Sequence, residues 1–112
     1  MASALPSVDE LLDAAVGYTL PLRTRFRDTH VRQGLLLHGP LGWAEFAPFT
    51  EYGAPGMARW LAAAIEAGWI GWPAASRRTV PVNAIIPAVD AERAGQLATD
   101  SGCTTAKVKV AE

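Results

Sequence analysis

Two lysines one residue apart, Lys107 and Lys109, are the most chemically pointed feature of this 112-residue chain. They lie in Thr104–Ala111, a run rich in β-formers. The period of two in a strand places Thr105, Lys107 and Lys109 on one face and Ala106, Val108 and Val110 on the other. The two amines then stand about 6–7 Å apart, at ~3.3 Å per residue. Like charges that close each favour loss of a proton from the other, and partial burial adds to this. An amine held that way can act as a general base near neutral pH. The same spacing also suits a solvated sheet edge, where lysine guards against wrong pairing. Taken alone, Lys-x-Lys favours that plainer role.

Other candidates are less specific. Arg23, Arg25, Arg27 and Arg32 make a local basic cluster in a chain of net charge -1. Arginine binds carboxylate bidentately, so the cluster could attract an anionic small molecule; it equally suits the polar face of an exposed strand. Phe49, Glu51 and Tyr52 fall in a loop after a strand, where ligand contacts often sit, although packing explains them as well. Glu45, between Trp43 and Phe46, reads as a structural carboxylate. Trp60, Trp69 and Trp72 read as core or interface residues, Cys103 as a small buried filler and His38 as a turn residue. No Gly-rich phosphate loop, Ser nucleophile elbow or paired-His metal motif is present.

Composition excludes several classes. Near-neutral charge argues against a strongly basic nucleic-acid binder. One cysteine excludes an internal disulfide framework. Asp9, Glu10 and Asp13 near the start do not suit a secretory signal, and the charge-free runs fall short of the roughly 18 residues of a membrane span. A cytoplasmic protein with no membrane or nucleic-acid partner is the expectation.

The elements that must position these residues are legible in outline. Ser7-Val8-Asp9-Glu10 is a capping-box pattern opening a short helix, with Gly17 as its expected stop. Tyr18–Arg27 alternates as a half-buried strand, and Pro21 places it at an edge. Asp28-Thr29-His30 reads as a loop, Val31–His38 as a second strand, the Gly39-Pro40 region as a turn and Trp43–Phe49 as a third strand. Together they predict an antiparallel meander. Met57, Trp60, Leu61, Ala64 and Ile65 recur at helical spacing, with Gly68 as the expected stop. Val80–Val89 is a nearly all-apolar strand of the kind covered on both faces. Asp90 caps a helix running to about Asp100, and Ser101-Gly102-Cys103 turns into the lysine strand. This strand–helix–strand unit is a βαβ crossover. Such a unit cannot bury both faces of its strands by itself, so the chain reads as the N-terminal part of a larger α/β protein.

The pieces, in this order, resemble a known family. Gly42-Trp43-Ala44-Glu45-Phe46-Ala47-Pro48-Phe49-Thr50-Glu51-Tyr52 looks like the end of the capping-domain sheet of o-succinylbenzoate synthases of the actinobacterial type, in the enolase superfamily. Val80–Val89 resembles their first barrel strand. Thr105–Glu112, with Lys107-Val108-Lys109, resembles their second. The resemblance implies an α+β capping domain, a three-stranded antiparallel meander plus helices, over residues 1–71. A linker follows at 72–79, and then the first βαβ unit of a truncated (β/α) barrel at 80–112. It implies dehydration of 2-succinyl-6-hydroxy-2,4-cyclohexadiene-1-carboxylate to o-succinylbenzoate, a step toward menaquinone. Lys109 would be the base and then the acid, with Lys107 its electrostatic partner. Arg25, Arg27, Phe49, Glu51 and Tyr52 would meet the anionic substrate from the cap loops. Mg²⁺ would hold the substrate carboxylate, on ligands lying beyond Glu112.

Two relatives within the superfamily share the lysine motif: N-succinylamino acid racemases and muconate-cycloisomerase-like enzymes. A reading of another class is a non-catalytic α+β module that binds an anion through its arginines. Oligomeric state is open. Because a complete barrel typically needs about 250 residues, the 112-residue chain by itself should not turn over the substrate. An assay of the purified chain with Mg²⁺ checks this; rates like those of a complete synthase would contradict it.

Overall fold

The computed structural model describes residues 5–110. It divides into two compact units: the chain through Leu20 with Gln33–Ala75, and Pro21–Arg32 with Ser76 onward.

The first unit opens with helix α1, Val8–Asp13. The expected capping box is present. Ser7 Oγ accepts the Glu10 N–H at 3.2 Å, and Glu10 Oε2 accepts the Ser7 N–H at 2.7 Å. The bond from the Ser7 backbone, followed by that to its side chain, holds the Glu10 carboxyl below the usual carboxylate range. This contribution to the cap is present above the ordinary glutamate pKa and fades as pH falls through the lowered one. The helix ends earlier than Gly17. Ala14 is its C-cap, and its carbonyl accepts the His38 N–H at 3.0 Å. The chain is thereby pulled straight into strand β1, Ala15–Phe26, and Gly17 lies within it.

Strands β1, β2 (Thr29–Gly39) and β3 (Gly42–Phe46) form an antiparallel sheet in sequence order, as the meander required. The β1–β2 connection is tighter than the expected loop. Only Arg27 and Asp28 link the strands, with φ of 48° and 60°. Two positive-φ residues in succession match the right-handed twist of a hairpin, so Thr29 and His30 become strand residues. His38 is likewise in β2, not a turn, and its ring tilts against Trp43 at 4.6 Å. The third strand stops at Phe46, three residues short of the expected Phe49, ahead of Pro48.

Helix α2 spans Ala54–Ile65, starting three residues before the predicted Met57 because Pro55 suits a first helical turn. It does not stop at Gly68. It widens into a π-helical turn, Glu66–Ile70, and ends where Gly71 adopts φ 92°. Gly68 acts through close packing instead. The Gly68 carbonyl accepts the Leu41 N–H at 3.0 Å. A Cβ on Gly39 would fall 2.3 Å from that carbonyl oxygen. The contact seats Trp69, 8% exposed, in a core with Leu37, Ala44 and Ala64. Of the four tryptophans only Trp69 is buried; Trp43, Trp60 and Trp72 are exposed.

The second unit contains the predicted crossover. Strand β4 is Ala84–Ile86, shorter than Val80–Val89, and helix α3 is Ala91–Asp100. Asp90 caps α3 by accepting the Arg93 N–H at 2.8 Å. Gly102, at φ 66°, turns the chain into strand β5, Ala106–Val108. Cys103 is half-buried, and its N–H bonds Ser101 Oγ at 3.0 Å. Strands β4 and β5 pair in parallel. Ala84 and Ile86 are buried, whereas Ile85 between them is 55% exposed, so here one face of the strand is covered.

The Gly39–Gly68 approach yields an expectation. Gly39→Ala should destabilise the first unit by about 1–3 kcal/mol, the range for overpacking a tight contact. Urea unfolding followed by tryptophan fluorescence and far-ultraviolet circular dichroism checks it, and an unchanged midpoint would contradict it.

Candidate functional site

The lysines sit where parallel pairing places them. Ile85 is the register partner of Lys107, and Ile86 that of Val108. Just past the strand, the Lys109 N–H donates to the Ile86 carbonyl at 2.9 Å. The alternation of β5 therefore turns Lys107 and Lys109 to the side of Ile85, away from the side on which Ala84 and Ile86 are buried. Lys107 is exposed and Lys109 half-buried. Lys109 is covered by a residue that sequence reasoning recorded only as one position in an alternating strand. The Phe26 ring lies under its Nζ, 5.4 Å from the ring centroid. Both residues belong to the second unit. A cation over an aromatic face at this distance is attracted by the ring's negative face.

The arginines are placed differently. Arg25 neighbours Phe26 in β1, so the two side chains leave opposite faces of the strand. The Arg25 guanidinium pairs with the Asp28 carboxylate across the hairpin turn. Both partners are well exposed, so the pair adds little stability, but it answers part of the charge of Arg25 locally. Arg27 lies in the turn itself.

Phe49, Glu51 and Tyr52 belong to the first unit. The Phe49 and Tyr52 rings meet edge-on at 5.9 Å, and both meet Trp60 of α2, at 6.2 and 5.8 Å. The Tyr52 N–H also donates to the Phe49 carbonyl. The loop is thus stapled to α2 by three rings, with Glu51 exposed between them. Glu45 is exposed yet structurally engaged. Tyr18 on β1 donates its hydroxyl proton to Glu45 Oε1 on β3 at 2.5 Å. It spans β2 at Gly34, where a Cβ would fall 2.6 Å from the Tyr18 oxygen. A cleft of about 480 Å³ beside Glu45 is lined by Arg59, Trp60 and Trp72.

Among the described residues no three His, Cys, Asp or Glu side chains come together as a metal centre. Lys107, Lys109 and the Phe26 ring offer no side-chain oxygen. They do not fit a divalent cation, which takes oxygen ligands. No helix of the described residues is long and apolar enough to cross a membrane.

Comparison with known proteins agrees with this architecture. Residues 17–68 match the family model for the enolase N-terminal domain-like fold. An o-succinylbenzoate synthase of Thermobifida fusca is 59% identical over 95 residues, covering 85% of this chain and 30% of that protein. The chain is thus similar to the N-terminal third of o-succinylbenzoate synthases and carries an enolase N-terminal domain-like segment. A synthase of the same name from Mycolicibacterium smegmatis is 48% identical over 113 residues, covering all of this chain and 35% of that protein. One from Mycobacterium tuberculosis is 45% identical over the same length. The chain spans about a third of the length of the curated relatives it matches. This likeness fits both the three-stranded meander and the parallel β4–β5 pair.

The aromatic staple gives a second expectation. Trp60→Ala removes two ring contacts, each worth about 0.5–1.5 kcal/mol. Amide hydrogen exchange across residues 49–53 should speed up about tenfold or more. Unchanged exchange would show that the loop is held by other contacts.

Proposed function

We propose that this chain supplies the proton-transfer lysines of an o-succinylbenzoate synthase. The observation that carries the reading is the placement of Lys107 and Lys109. Parallel pairing with β4 turns both to one side of β5 and ties the backbone of Lys109 to Ile86. The name carried by the relatives favours dehydration over racemisation.

The reaction converts 2-succinyl-6-hydroxy-2,4-cyclohexadiene-1-carboxylate to o-succinylbenzoate and water. The neutral Lys109 amine takes the proton from the carbon bearing the carboxylate. The ammonium so formed returns a proton to the departing hydroxide, which leaves as water, and the ring becomes aromatic. One amine serves both steps, so no proton is gained or lost overall. Lys107, a cation on the same side of the strand, answers the negative charge that develops on the substrate. Arg25 and Arg27 contribute a positive field that draws an anionic substrate. The superfamily's Mg²⁺ needs oxygen ligands from outside the described residues, and no step above runs through it. A cytoplasmic enzyme fits this chemistry.

A chimera tests the reading. This chain replaces the matching stretch of the Thermobifida fusca synthase, and turnover is measured by the ultraviolet absorbance of the aromatic product. The chimera should be active, and Lys109→Met should cost it about a hundredfold or more in kcat. Turnover that survives Lys109→Met would refute the assignment of the base.

A further inference from the structure

Phe26 takes no part in the chemistry just described, yet its ring contacts the amine that does. We infer that Phe26 is a positioning residue for Lys109: its ring fixes where the ammonium stands once the proton has been taken. The inference rests on the proposed role of Lys109 and deepens it.

Three observations carry it. The first is geometric: Lys109 Nζ lies over the Phe26 ring, 5.4 Å from its centroid. The second is that both partners are held by backbone. Lys109 is tied to Ile86 through its N–H at 2.9 Å. Phe26 is the last residue of β1 and immediately precedes Arg27 and Asp28, both at positive φ. A two-residue turn leaves the hairpin end little freedom, and the Arg25–Asp28 pair closes over it. The third is selectivity. Lys107 shares a side of the strand with Lys109 but is exposed, whereas Lys109 is half-buried. The ring therefore distinguishes two otherwise equivalent amines.

The ring's negative face attracts an ammonium, not a neutral amine. It acts on Lys109 in the interval between taking the proton and giving it to the departing hydroxide. A flexible four-carbon side chain carrying a charge would otherwise swing toward water. Held on the ring, it stays where the leaving group can reach its proton. Loss of the ring should therefore lower kcat more than it raises KM.

The chain's lysines number two, which makes the contact directly observable. Reductive methylation with ¹³C-formaldehyde keeps the charge of both. In the folded chain the Lys109 methyl signals should lie upfield of those of Lys107, by the ring current of Phe26. Phe26→Leu should move the Lys109 signals to the position of Lys107 and leave Lys107 unmoved; Phe26→Tyr should restore the upfield shift. In the chimera, Phe26→Leu should lower kcat about two- to fivefold with KM little changed, and Phe26→Tyr should recover it. Lys109 signals unaffected by Phe26→Leu would overturn the contact. A kcat unaffected by a substitution that abolishes the shift would overturn the positioning role. Equal movement of both lysines would mark a general loss of structure at the strand and also count against it. Failure of the underlying reading shows separately, as turnover that survives Lys109→Met.

Discussion

The hydrogen bond from the Lys109 N–H to the Ile86 carbonyl organises everything that makes this chain chemically interesting. Parallel strands cannot be joined by a short turn, so that bond exists only because α3 carries the chain back across. Asp90 starts the crossover helix, and Gly102 releases the chain from it into β5. Once the register is set, alternation decides which residues share a side. Ala84 and Ile86 go to the buried side. Lys107 and Lys109 go to the other. A slip of one residue would send both lysines to the wrong side, because the side-chain period of a strand is two.

The first unit meets a different constraint, the distance between two backbones. Gly39 has no side chain, which lets the Gly68 carbonyl come close and reach the Leu41 N–H. The extra residue of the π-helical turn brings Gly68 to that place and Trp69 into the core. The same logic recurs at Gly34, whose missing side chain leaves room for the Tyr18 phenol to reach Glu45. In each case the absent Cβ builds a contact. Each glycine is a packing residue, and neither Gly17 nor Gly68 ends a helix.

The family match and the geometry support one another at different levels. The match to the enolase N-terminal domain-like fold covers residues 17–68, the meander and α2. The lysine strand lies outside that range but inside the stretch shared with the Mycolicibacterium smegmatis synthase, which covers all of this chain. Physical reading of the strand explains why lysines at this spacing suit proton transfer. The relatives' name indicates which proton transfer to look for. The aromatic partner of Lys109 comes from the structure alone.

Local chemistry made much of this protein legible before any coordinates. The Ser7–Glu10 capping box, the Asp90 cap, the order of three meander strands and the two faces of the lysine strand all follow from interactions spanning a few residues. The sequence also determined which amines could act as bases, because residue type and strand period settle that. It could not place Phe26 over Lys109, since the two are far apart in the chain and meet only through the folded second unit. Nor could it show that Phe49 and Tyr52 spend their rings on Trp60, or that Arg25 faces away from Phe26 toward Asp28. The tight turn at Arg27-Asp28 escaped notice because no glycine or asparagine marks it. Those outcomes depend on which surfaces lie close enough to touch, and that is decided by tertiary packing, not by the periodicity of the chain.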